Sequence, residues 1–222
     1  MTEKIGRFTI QEELANFLSH FAGAMLASAG LTLLIVASVF QGNAWHVFST
    51  AIFGSTMVIL YFSSAVAHGL PKGKLKQLFF IIYQAAIFLL IAGTYTPLAL
   101  VALHGPFGLV LFGLQWAMAI TGILMKVLRP NKVEVGARMI DIILYVGMGW
   151  MVLIAIVPLI KSLPLMGNLW ILIGGLCYTF GIVFYRFAKF NHAHLVWHLM
   201  VLAGSISHFF CIYFYVIPIN IQ

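Results

Sequence analysis

The chain has 222 residues, 63% of them apolar by type and 8% charged, and a mean hydropathy of +1.06. A soluble domain carries roughly a quarter charged residues, so this composition excludes a water-facing surface and points to an integral membrane protein. The formal net charge of +7 then reflects topology and contact with anionic lipid, and nucleic acid is not implied.

The first thirteen residues form a polar stretch, with Glu3, Lys4, Arg7, Glu12 and Glu13 among them, and the apolar run behind them is too long for a secretory signal core. They are expected to form a cytoplasmic tail over 1–13, ahead of a single transmembrane domain over 14–222. Seven apolar runs follow, at 17–40, 45–68, 78–102, 107–126, 139–159, 167–185 and 195–217, each long enough to cross a ~30 Å hydrocarbon core. All should be helices, because a helix satisfies its own backbone polar groups in lipid. The fold expected is therefore all-α, a seven-helix transmembrane bundle.

Turn residues separate the runs: Gly42-Asn43, Pro71-Lys72-Gly73, His104-Gly105-Pro106, Pro130-Asn131 and Met166-Gly167-Asn168. Gly23, Ala27 and Gly30, and Gly174, Gly175 and Gly181, are expected to let helices approach closely. Cys177 and Cys211 lie inside apolar runs, where packing is their expected role.

With seven crossings, Lys4, Arg7, Lys72, Lys74, Lys76, Lys126, Arg129, Lys132, Arg138, Arg186 and Lys189 fall on one side, and only Lys161 on the other. The positive-inside rule then puts the N-terminus in the cytoplasm and the C-terminus outside. An even number of helices would scramble this segregation. The expected location is the cell (inner or plasma) membrane.

That topology brings polar residues to one depth near the cytoplasmic side. The second run ends in Ser64-x3-His68 and the seventh begins with His194-x3-His198, two imidazoles one helical turn apart on one face. The first helix also begins there, with a stripe of Glu12, Asn16, Ser19 and His20, and the third brings Tyr83 and Gln84. Ionisable groups within membrane spans are costly and mark sites. His68, His194 and His198 would make a three-nitrogen metal site with a fourth position open, as in catalytic zinc; from the donors alone, iron, nickel or copper stay open as well. The bland reading of each histidine is an interfacial or hydrogen-bonded residue. His46 and His104 fall at the outer ends and read as interfacial, and His192 as a loop residue. His208, ten residues past His198 and roughly 15 Å deeper, cannot share the ion and is expected to make a buried hydrogen bond.

Ser64-x3-His68 with Pro71, the stretch Ile87 to Pro97 ending Ala-Gly-Thr-Tyr-Thr-Pro, Met148-Gly149-Trp150, His194-x3-His198, and Leu202-Ala203-Gly204-Ser205 with His208-Phe209 together resemble the hemolysin III proteins. These are the bacterial branch of the progestin and adipoQ receptor (PAQR) family, related to adiponectin receptors and more distantly to alkaline ceramidases. The opening Glu12 to His20 fits as well, so the resemblance runs from residue 12 to about 215.

The resemblance implies seven membrane helices and zinc near the cytoplasmic side, held by His68, His194 and His198, with Ser64 as an accessory polar group. It implies hydrolysis of a lipid amide, as in ceramide, and a role in membrane homeostasis. Bound zinc lowers the pKa of water to near 7 and polarises a carbonyl, so the chemistry is coherent. Family members usually carry an Asp, often as Leu-Asp-His, before the Ala-Gly-Thr-Tyr-Thr-Pro stretch; this chain reads Ile82-Tyr83-Gln84. A phenol of ordinary pKa ~10 is a poor base at neutral pH, although Tyr83 could still orient a water. Asp141, at the start of the fifth run, reads as a helix N-terminal anion. Glu12 and Glu13 are further candidates for a base or for a partner behind the ligands, with plain solvation at the membrane edge as the alternative.

Three functions compete. One is a zinc-dependent lipid amide hydrolase, with Ser64 or Tyr83 orienting the water and a membrane lipid as substrate. Another is a non-enzymatic sensor or regulator of membrane state, with zinc as a staple, towards which the missing Asp leans. The third is a channel, transporter or cytolysin, against which the lack of a clear internal repeat and the place of the polar cluster near one face count.

Overall fold

A computed structural model describes residues 4–5, 8–128, 139–187 and 190–221. A short hairpin of β1 (Lys4–Ile5) and β2 (Phe8–Thr9) leads into α1 (Ile10–Gln41), followed by α2 (Ala44–Gly69), α3 (Lys74–Pro97) and α4 (Pro106–Val127). Beyond these come α5 (Met139–Trp150), α6 (Ile156–Ser162), α7 (Leu165–Phe187) and α8 (Ala193–Cys211). Among the described residues six helices are long and apolar enough to cross a membrane, and seven spans result when the bent α5–α6 pair counts as one. Arg7, Arg129, Lys132, Arg138 and Lys189, which carry part of the charge argument, and the Pro130-Asn131 turn lie outside the described residues.

The helix ends follow from local chemistry. Thr9 and Glu12 form a reciprocal capping box, the Glu12 N–H donating to Thr9 Oγ1 at 3.2 Å and the Thr9 N–H to Glu12 Oε2 at 2.8 Å. Asn43 caps α2 by accepting from the Trp45 N–H at 3.0 Å. Gly105, at φ 121°, turns the chain so that Pro106 can open α4 at a position whose N–H is dispensable.

Three spans are less regular than the apolar runs predict, one of them being the last, where α8 passes into a π-helical turn over Ile212–Val216. Pro97 cannot donate a helical hydrogen bond, and α3 continues as a π-helical turn over Leu98–Ala102. The fifth run, expected as one helix over 139–159, breaks at a 3₁₀ turn, Met151–Leu153, and resumes as α6 bent by 53°. Pro158 lacks the N–H that would close the turn around Ile154, and its ring crowds that carbonyl, so the break falls one turn upstream of it. The turn expected at Met166-Gly167-Asn168 lies earlier: Leu163 and Pro164 make it, and Gly167 sits within α7.

The helices pack in sequence order, α1 on α2, α2 on α3, α3 on α4 and α7 on α8, and α8 closes back onto α1. Large apolar side chains such as Leu14, Leu18, Phe21 and Met25 stand exposed along α1, an arrangement stable only against lipid. Gly23 lies so close to α2 that a Cβ there would come within 2.7 Å of the Tyr61 ring, and one on Gly181 within 2.9 Å of Trp197. Gly175 meets nothing within 4 Å and is not a packing glycine.

Inside the bundle Tyr61 Oη donates to Ser205 Oγ at 2.7 Å, and Ser205 also bonds Tyr178 Oη at 2.9 Å, tying α2, α8 and α7 together. Few contacts join α5 to α3 and α7. A cavity of about 460 Å³ lies there, walled mostly by apolar side chains of α3, α5, α6, α7 and α8.

Candidate metal centre

One end of the bundle collects the buried polar groups. His68 arrives on the last turn of α2, and His194 and His198 on the first turns of α8. Their ring centroids are 5.1 Å apart for His68 and His194, 5.0 Å for His68 and His198, and 4.6 Å for His194 and His198. One nitrogen from each lies within 4.8 Å of the others, a separation that a single ion can bridge. The sequence-predicted trio is thus brought together.

The rings are oriented from behind. His68 Nδ1 donates to Glu13 Oε2 at 2.6 Å, and the carboxylate, an acceptor only, keeps the proton on Nδ1. His198 Nδ1 lies 3.2 Å from the Asn16 carbonyl and 3.0 Å from Ser19 Oγ; the carbonyl accepts, so Nδ1 carries the proton here too. The Nε2 atoms of His68 and His198 are buried and make no hydrogen bond. A buried lone pair with no partner is costly, and these are the atoms a metal would take. The donor set and its supporting carboxylate and carbonyl fit a zinc ion.

Glu13 is itself held. Its Oε1 is 3.1 Å from Lys76 Nζ, and Lys76 also donates to the carbonyls of Ala67, His68 and Leu70 at the end of α2. A buried cation there satisfies carbonyls that the helix leaves open and complements its dipole. Glu12 faces elsewhere, closing the cap with Thr9 and accepting from the His192 N–H at 3.1 Å. The stripe that reaches the site is therefore Glu13, Asn16 and His20, with Ser19 beside it, one position off the Glu12-based register read from the sequence. Phe8, from the expected N-terminal tail, is buried with its ring 4.9 Å from that of His194.

His20 lies flat on His198, with ring centroids 3.5 Å apart and planes 10° off parallel, and its Nδ1 is 2.6 Å from Ser64 Oγ. Ser64 therefore sits beside the group with its hydroxyl engaged by His20. Tyr83 Oη accepts from Trp197 Nε1 at 2.9 Å, and its ring centroid is 6.4 Å from that of His198. Tyr83 and Trp197 also wall the near end of the cavity, so this pair stands between the histidines and the apolar space.

Other residues depart from their sequence readings. Asp141 does sit in the first turn of α5, but it is fully buried with Oδ2 2.6 Å from Lys126 Nζ, and Lys126 also donates to Gln84 Oε1. The acid is bound up in an ion pair away from the histidines. His46 is buried rather than interfacial, its Nδ1 accepting from the Asn43 N–H at 3.1 Å and its Nε2 donating to the Ile219 carbonyl at 3.0 Å. His104 is exposed, as expected, with Nδ1 on the Leu100 carbonyl. His208 does not make the buried hydrogen bond expected of it: its side chain bonds no described residue and stacks on Tyr178, centroids 5.7 Å apart.

The sequence pointed to the three histidines but left Glu13 as one of several spare acids, gave His20 no role, and used Lys76 only as a topology marker. The usable signal was the seven-residue spacing of Glu13 and His20, which puts both on one helical face with Asn16 between them.

Residues 8–209 match the protein family described as Haemolysin-III related. The chain is similar to Hemolysin-3 of Bacillus cereus, 39% identical over 220 residues, which cover 98% of this chain and 99% of that protein. The Hemolysin-3 homolog of Bacillus subtilis (strain 168) is 38% identical over 212 residues, covering 96% and 98%. Monocyte to macrophage differentiation factor of Homo sapiens is 25% identical over 218 residues, covering 95% and 87%. With residues 8–209 matched to the family, nearly the whole length shared with relatives 38–39% identical, and six to seven helices fit to span a membrane, the chain is a multi-pass membrane protein that belongs to the haemolysin-III-related family.

Proposed function

We propose that His68, His194 and His198 bind zinc near the cytoplasmic face of the cell membrane, and that the protein is a zinc-dependent hydrolase of lipid amides serving membrane homeostasis. The observation that carries this reading is the pair of buried Nε2 atoms of His68 and His198 without hydrogen bonds, each with its Nδ1 anchored behind it. Zinc bound there would supply a Lewis acid and a water of lowered pKa. Glu13, Asn16 and Ser19 fix the ligand rings. The cavity behind Tyr83 and Trp197 has the size and apolar lining of a site for a lipid chain, with the amide at the Tyr83 end.

One observation favours a second reading, a membrane-state sensor or regulator in which zinc is structural. Tyr83 stands where the family resemblance calls for an acid; its hydroxyl accepts from Trp197 Nε1, and a neutral phenol is a poor base at neutral pH. Glu13 is committed to His68 and Lys76.

Metal analysis of the purified protein beside a His194→Ala/His198→Ala variant tests the shared premise: about one zinc per chain is expected in the first and none in the second. Fatty-acid release from ceramide then separates the two readings. The hydrolase reading expects turnover that His198→Ala abolishes and Tyr83→Asp raises at least tenfold, by supplying a carboxylate base. A fully metallated protein that releases nothing in either form would leave the structural reading standing.

A further inference from the structure

Polar side chains line the cavity at several depths, and most are already engaged. Thr94 and Thr179 donate to carbonyls one turn back in their own helices. Tyr95 donates to the Gly149 carbonyl, Tyr145 to that of Gln84, and Tyr178 bonds Ser205. His208 differs. It is 6% exposed, it lines the cavity, and its side chain has no hydrogen bond to any described residue.

Its ring is nevertheless held in place. Tyr178 stacks on it with planes 14° apart, and the edge carrying Nε2 fits a notch at Gly174, where a Cβ would come within 2.6 Å of that nitrogen. A neutral imidazole has one N–H to give and one lone pair to fill, and leaving both unmet among apolar walls is unfavourable. His208 lies ten residues beyond His198 on α8, roughly 15 Å further from the histidine cluster. The cavity therefore has a polar wall at the Tyr83 end and a second, isolated hydrogen-bonding group deep along its length.

We infer that His208 reads a hydroxyl carried far along the chain of the lipid that occupies this cavity. A hydroxyl both donates and accepts, so it meets either tautomer of the ring. This inference rests on the cavity being a lipid-chain site and names the chemistry of the chain it takes.

The test is equilibrium binding to the purified full-length chain in detergent, read by displacement of a fluorescent fatty acid. The competitors are a saturated long-chain fatty acid and its monohydroxy analogues with the hydroxyl at successive positions. The natural protein should bind the best-placed hydroxy acid about tenfold more tightly than the plain acid, the worth of one buried hydrogen bond. His208→Phe should bind both alike with the plain acid's affinity retained, and His208→Gln, which keeps a donor and an acceptor, should retain part of the preference. Equal binding of the two acids by the natural protein, or a preference that survives His208→Phe, would overturn the inference and leave water as the partner of His208. Failure of either acid to bind would overturn the lipid-chain reading of the cavity as well, and zinc content measured on the same sample stands apart from both outcomes.

Discussion

A histidine can turn only one nitrogen to an ion, and what occupies the other decides whether it does so. For His68 that choice is made by Glu13, 55 positions earlier in the chain. Replacing Glu13 by Gln removes the anion that enforces the proton on Nδ1 and leaves Lys76 without its buried counter-ion. Zinc affinity, measured by competition with a chelator of known strength, should fall by about 10- to 100-fold, and stability by roughly 3–5 kcal/mol, as for a broken buried ion pair. Unchanged affinity in a folded Glu13→Gln protein would remove Glu13 from the site. Asn16 and Ser19 serve His198 in the same way, and His20 adds a flat face against its ring. The His194 and His198 pair was legible in the sequence because a four-residue spacing on a helix has one geometric meaning. The supports behind the histidines were not, since Glu12 and Glu13 are the same kind of residue at adjacent positions, and only the rotation of α1 against α2 chooses between them.

Among the helices, close approach and breaks carry the argument. Gly23 lets α1 lie against Tyr61 of α2, so Gly23→Ala should lower stability by about 1–3 kcal/mol through overpacking. Gly113 on α4 meets nothing within 4 Å, and Gly113→Ala should be neutral or raise stability by up to about 1 kcal/mol from helix propensity. Thermal unfolding of the two variants in one detergent checks the pair, and similar losses in both would refute the assignment. The apolar runs marked where spans lie, but the fifth was not readable as straight or bent. Pro158 announces a lost hydrogen bond, and whether a helix then kinks or breaks depends on what packs against it. Here α5 and α6 have the cavity beside them, and the span folds by 53°.

For the molecule as a whole, zinc held by His68 and by His194 and His198 would staple α2 to α8, elements far apart in sequence. On that reading, removing the metal should lower the melting midpoint by on the order of 10 °C, which corresponds to about 4 kcal/mol of binding linkage at a thousandfold excess over Kd. A midpoint indifferent to complete metal removal would rule out a staple. Orientation has its own check: a fluorescent protein fused before residue 1 should glow in the cytoplasm, and a phosphatase active only outside should work when fused after residue 222. The reverse pattern would invert the bundle and move the histidine cluster to the outer leaflet.

Membrane residence, the apolar runs that mark the six to seven spans and the His194-x3-His198 pair were determined by the sequence alone. Each is a one-dimensional property, a matter of run length, composition or helical period, and each survives whatever the helices do to one another. Tertiary structure decided which acid serves His68, that Asp141 is spent on Lys126, that His208 faces a cavity instead of a hydrogen-bonding partner, and that Tyr83 and Trp197 stand between that cavity and the histidines. Those outcomes depend on the rotation and depth of one helix against another, set by side-chain packing summed over whole interfaces, and no local stretch of the chain encodes them.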